Sequence, residues 1–154
     1  MVDAVGDNPA YFKFVLDLCF SEGYPVAMRA GRAVALCNEK YPSLIIPYID
    51  QLVKMIKGSE IDGVKRGILQ AFSESVDMKL FVNLGELVDL CFSLLMNIKE
   101  SISVMYYSME ILYKICIIEP ELKFELIQVI EGMTFETSAG LVKRAKKLLK
   151  LLKK

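Results

Sequence analysis

Apolar residues recur along this chain at the i, i+3, i+4, i+7 spacing of amphipathic helices, and nowhere with the alternation of a strand. Asn8-Pro9 offers a cap and a proline at the first helical position. The stripe Phe12, Val15, Leu16, Cys19, Phe20 follows and stops at Gly23. Pro25 opens a second stripe of Val26, Ala30, Ala33, Val34 and Cys37, and Tyr41-Pro42 ends it. Ile45, Tyr48, Ile49, Leu52, Val53 and Ile56 form the third. After Gly58, Ser59 and Asp62 have the look of a capping box for the fourth, which carries Ile61, Val64, Ile68, Ala71 and Phe72. The fifth runs through Leu80, Leu84, Leu87, Val88, Cys91, Phe92 and Leu95. The sixth, starting at Ser101 or Ser103, buries Val104, Ser108, Ile111, Leu112 and Ile115. Pro120 opens the seventh, with Leu122, Leu126, Val129, Ile130 and Met133. A loop through Thr137-Ser138 leads to the eighth, with Leu141, Ala145, Leu148, Leu149 and Leu152.

These eight stripes are not independent. Asp17-Leu18-Cys19-Phe20-Ser21 returns unchanged as Asp89-Leu90-Cys91-Phe92-Ser93, and diverged copies lie at Ile49-Asp50-Gln51-Leu52-Val53 and Ile127-Gln128-Val129-Ile130. Equivalent positions Asp17, Asp50, Asp89 and Gln128 are separated by 33, 39 and 39 residues. A period of that length means stacked supersecondary units. The expectation is an all-α solenoid, an α-α superhelix of four antiparallel helix pairs. It forms one domain over 1–154, with repeats at about 8–41, 42–76, 78–118 and 120–154.

The second helices align as Val26-x3-Ala30-x2-Ala33-Val34, Val64-x3-Ile68-x2-Ala71-Phe72, Val104-x3-Ser108-x2-Ile111-Leu112 and Leu141-x3-Ala145-x2-Leu148-Leu149. The third helix has proline in its first turns, Leu44-Ile45-Ile46-Pro47-Tyr48-Ile49. Both patterns resemble the HEAT repeat, of the armadillo-type fold, over residues 8–154. Repeats 1, 3 and 4 lack the internal proline, and only repeats 1 and 2 keep basic residues near the start of the second helix. More narrowly, Tyr106-Tyr107-Ser108-Met109-x2-Leu112-Tyr113 with Pro120-Glu121-Leu122 and the basic last helix resembles a family of short bacterial HEAT-like proteins. Some members of that family carry the label adenylosuccinate lyase. Such lyases work through histidine and a Ser-containing Met-Pro-x-Lys loop, and this chain has neither. The resemblance therefore implies a protein-interaction scaffold, not that enzyme.

Composition narrows the remaining classes. The chain is 54% hydrophobic and 25% charged, which is globular composition, and no apolar run reaches the roughly 18–20 residues of a membrane span. The acidic start, Met1 to Asp7, is unlike a secretory signal, so a cytoplasmic protein is expected. Cys19, Cys37, Cys91 and Cys116 fall on apolar stripes without a CxxC pair, as buried reduced thiols do. With no histidine and no nucleophile–base pair, no metal, cofactor or catalytic residue is expected. Asp17, Asp50 and Asp89 stand at different levels of the solenoid and cannot share a metal. Lys13 and Lys54 lie four residues from the first two, at salt-bridge spacing. Gly31, Gly67 and Gly85 interrupt helices at about 1 kcal/mol each and imply close helix packing.

Two surfaces are candidates for binding. Positions on the second helices that do not fill the core should line the concave face: Met28, Arg29, Arg32, Arg66, Gln70, Tyr106, Tyr107, Glu110 and Tyr113, then Lys143, Arg144 and Lys147. Arginine and tyrosine anchor protein interfaces, so a protein or peptide partner is the leading expectation, with a basic half beside an aromatic, acidic half. The competing reading of these side chains is that the tyrosines complete the core and the arginines pair with neighbouring acids. The last helix is the other candidate, because seven of the 19 basic residues, among them Lys143, Arg144, Lys146, Lys147 and Lys150, crowd into positions 143–154. That patch would serve a nucleic-acid binder or a DNA-repair enzyme of HEAT-like fold. Its plainer reading is the polar outer face of a terminal repeat. No aromatic residue interleaves its lysines and the chain has no tryptophan, which favours the protein partner.

Overall fold

Side-chain caps fix where three of the helices begin. The structure, a computed structural model, describes residues 7–133 and 138–154; the acidic start up to Gly6 and the loop residue Thr137 lie outside the described residues. Among these the chain forms eight α-helices and no strand. They are α1 (Pro9–Ser21), α2 (Val26–Lys40), α3 (Ile49–Lys57), α4 (Asp62–Ser75), α5 (Leu84–Met96), α6 (Ile102–Ile118), α7 (Lys123–Gly132) and α8 (Ala139–Leu152). Asn8 Oδ1 accepts from the backbone N–H groups of Ala10 at 2.9 Å and Tyr11 at 3.3 Å, starting α1. Ser101 Oγ accepts from Val104 N at 3.2 Å, and Ser138 Oγ from Leu141 N at 3.2 Å. Each such cap stabilises its helix by about 1 kcal/mol.

The helices pair as α1–α2, α3–α4, α5–α6 and α7–α8, and the pairs stack into the expected all-α solenoid. One continuous core runs between the two layers, from Phe12 to Leu152. The second helices α2, α4, α6 and α8 pack on one another more extensively than the first helices do. The first helices splay and leave grooves, of about 440 Å³ between α3 and α5 and about 530 Å³ between α5 and α7. An array whose layers differ in this way curves toward its tighter layer, which is that of the second helices.

Several local expectations need correction. Helix α3 does not begin at Ile45: Pro47 has no N–H to donate, so the chain makes two 3₁₀ turns, Pro42–Leu44 and Ile46–Tyr48, before the α-helix starts at Ile49. The capping box at Ser59 does not form. Ser59 Oγ takes the Ile61 N–H at 3.3 Å instead, and the start of α4 has no side-chain cap. Leu80 sits exposed in the 3₁₀ turn Met78–Leu80, and Phe81 is buried in its place, edge-on to Phe72 at 5.1 Å. Val26, in the first turn of α2, is also exposed. Gly85 has open space around it, so close packing does not explain it.

Candidate functional site

The second-helix layer is shaped by three glycines. A Cβ on Gly31 of α2 would stand 2.5 Å from the Gly63 carbonyl oxygen, and a Cβ on Gly67 of α4 would overlap the Gly31 carbonyl. The backbones of α2 and α4 therefore touch, as expected for Gly31 and Gly67, and Gly63 joins them beneath Met28. Where the glycines offer no side chain, a cavity of about 200 Å³ remains, lined by Arg32, Ala35, Leu36, Gly63, Arg66, Gly67 and Gln70. Arg32 is exposed, and Arg66 and Gln70 are half-buried. Neither arginine makes an ion pair among the described residues. Arg29 is exposed on α2 but does not line this cavity.

On α6 the next residues of the layer are aromatic. Tyr106 and Tyr107 stack edge to face at 5.2 Å and 84°. Burial raises the Tyr107 phenol above its ordinary pKa, Glu74 and Tyr106 push the same way, and Arg66 opposes them. Arg66 and Glu74 on α4 thus act electrostatically on the Tyr107 phenol of α6, the helix that packs next to α4 in this layer. Gln70 Nε2 points at both Glu74 carboxylate oxygens, at 3.4 Å.

Glu110 is not the open acid that its sequence position suggested. Arg144 of α8 holds it with two guanidinium bonds, Nε to Oε1 and Nη2 to Oε2, the second 2.9 Å long. Hydrogen bonding to Glu110 raises the Arg144 pKa, against an opposing desolvation effect, and the Tyr106 and Tyr113 hydroxyls add to the rise. Tyr113 is half-buried near this pair. Such a forked pair is specific because the planar guanidinium matches both carboxylate oxygens. It pairs Arg144 within the basic last helix and leaves neither it nor Glu110 free. Lys143, Lys146, Lys147 and Lys150 remain on α8 without an ion pair among the described residues, and Lys153 reaches Glu131 at 2.8 Å.

Two contacts between repeats, one from a helix to a connection and one between helices, had no signal at helical spacing. Lys65 of α4 binds both oxygens of Glu100 at 2.8 Å, with side chains only 11% and 12% exposed. Lys114 of α6 donates to the Ser73 carbonyl near the end of α4. Their partners lie 35 and 41 residues away, so only the repeat register could have paired them. Lys13 and Asp17 do form the expected bridge, at 2.6 Å. Asp50 instead accepts from Val82 N at 3.2 Å and Asn83 N at 2.9 Å, tying α3 to the start of α5. All four cysteines are free and buried, and desolvation holds Cys19 at about 12 and Cys116 at about 11, with Cys37 and Cys91 also raised. A thiol kept protonated in this way is a poor nucleophile.

Comparison with known proteins adds one finding. A family model described as a HEAT repeat domain matches residues 1–152. No curated protein and no solved structure matches the chain.

Proposed function

The chain belongs to the HEAT repeat domain family, and we propose that it is a non-catalytic scaffold that binds a protein or peptide along its second-helix layer. The carrying observation is the continuity of that layer. Arg32 and Arg66 share a cavity, the helix that carries Arg66 packs on α6, and on α6 Tyr107 stacks on Tyr106. Arginine and tyrosine supply large, directional anchors at small entropic cost, and they dominate binding energy where they cluster. Four buried, unpaired thiols fit a reducing compartment such as the cytoplasm. No helix among the described residues is long and apolar enough to cross a membrane.

The test is capture of a partner by the double variant Tyr107→Ala, Arg32→Ala, with hydrogen exchange of the bound complex. Loss of such anchors costs about 2 kcal/mol or more. Capture should therefore fall at least roughly tenfold, with protection of α2, α4 and α6 in the wild-type complex and little change in Tm. Normal capture by the double variant would reject this face. A second reading, nucleic-acid binding, rests on the unpaired lysines of α8. It predicts that Lys146→Gln with Lys150→Gln weakens binding of single-stranded DNA and flattens its salt dependence.

A further inference from the structure

We propose that Arg32 and Arg66 form a pocket for one anionic side chain, a carboxylate or a phosphate, of an extended peptide segment on the partner. The inference rests on the second-helix layer being the binding face and names what that face selects. Two guanidinium groups from neighbouring helices line one cavity without an ion pair among the described residues. An anion bound between two guanidinium groups takes charge-assisted bonds from both. At about 200 Å³ the cavity holds roughly six or seven waters at ~30 Å³ each, room for a carboxylate or phosphate and part of its stem. Its floor is Gly63 and Gly67, whose missing side chains are already required by the contact of α2 with α4.

The surroundings limit the ligand to an isolated charge. Glu74, whose carboxylate takes the amide of the cavity residue Gln70, repels a second anion, and on α6 Glu110 is already neutralised by Arg144. The same helix α6 carries the stacked Tyr106 and Tyr107 rings. A nucleic-acid strand, with a phosphate at every step, meets repulsion there. A peptide with one acidic or phosphorylated residue followed by apolar residues meets a matching surface. The two arginines are thus open while Glu110 is closed, so the partner segment places its one anion at the Arg32–Arg66 end.

Arginine Nε–H resonances of the ¹⁵N-labelled full chain report on the pocket directly. The probes are N-acetyl-glutamate amide, N-acetyl-phosphoserine amide, N-acetyl-lysine amide as control, and single-stranded DNA. The expected result is that Arg32 and Arg66 move together on one saturable curve with an anionic amide while Arg29 and Arg144 stay still. The stronger of the two amides identifies the partner's anion. Arg32→Gln should weaken that response roughly tenfold, the worth of a hydrogen bond to a charged group, and Lys146→Gln with Lys150→Gln should leave it unchanged. Linear shifts of all arginines together, no response from Arg32 and Arg66, or tighter binding of DNA at the same two arginines would each overturn the proposal. Because Arg32 is exposed, its variant should fold, and the wild-type titration stands without it. An unresponsive pocket with intact partner capture at Tyr106 and Tyr107 would sink this inference alone. Loss of both would sink the scaffold reading as well.

Discussion

The first and last contacts within the second-helix layer are built by opposite means. Where α2 meets α4, glycines bring backbone onto backbone, and no side chain stands between Gly31 and Gly67. Where α6 meets α8, long side chains fill the gap and the Glu110–Arg144 fork bridges it. The first joint is rigid because close-packed backbone has no rotamers to change. The last rests on a partly exposed ion pair, which solvent and salt weaken. In a solenoid each repeat is stabilised by its own fold and by its neighbours, so such differences stay local. One short array thus combines a fixed cradle at its start with a more adjustable end.

Gly67→Val should break the first joint. Its branched side chain has no space beside the Gly31 carbonyl, and α2 and α4 must separate or α4 must unwind. Overpacking typically costs about 1–3 kcal/mol, and against backbone the upper end applies. Gly67 is also buried in a helix, so the gain in propensity offsets only part of the loss. Urea unfolding should show a loss of about 3 kcal/mol, with Tm down by roughly 6–12 °C. A neutral result would mean that the helices are not in backbone contact. Glu110→Leu tests the other joint. It leaves Arg144, 30% exposed, without its partner. The expected loss is smaller, about 1–2 kcal/mol, since a charge that can reach water is penalised less than a buried one. Adding Arg144→Met to the same chain should recover part of it, and a double variant as unstable as the sum of the singles would argue against direct coupling.

The same contrast explains what the sequence could and could not disclose. Fold class was legible because burial obeys local periodicity. The repeated Asp-Leu-Cys-Phe-Ser segments put Cys19 and Cys91 in the same buried place on α1 and α5. The cap at Asn8, which uses one residue and its own helix, was legible for the same reason, and Ser101 was one of the two starts read for α6. Contacts between repeats were not. Lys54 stands at salt-bridge spacing from Asp50, but the carboxylate binds two backbone donors 32 and 33 residues away. Backbone N–H groups carry no side-chain signature, so spacing alone favours the wrong partner. Glu110 was placed on the correct layer, yet its neutralisation by Arg144 depends on the stacking of α8 on α6. Electrostatic sign on the binding face is a tertiary property, even where the residues that compose it are evident.

The smallest expected effect has the opposite sign and uses the same residue type. Gly85 lies in the first turn of α5, exposed, with nothing within 4 Å of where a methyl group would stand and no left-handed backbone to preserve. Replacing it by alanine adds no clash and removes freedom from the unfolded chain, the term that makes glycine unfavourable in helices. Gly85→Ala should therefore stabilise the protein by about 0.5–1 kcal/mol, raising Tm by roughly 1–4 °C. Measured beside Gly67→Ala in one background, it separates propensity from packing. Propensity favours alanine at both positions, if less in a first turn than in a helix interior, so a destabilised Gly67→Ala beside a stabilised Gly85→Ala reports the steric cost of parting α2 from α4. If the two variants shifted stability equally, the contact at Gly31 would yield as easily as open solvent, and the distinction between a rigid first joint and an adjustable last one would fail.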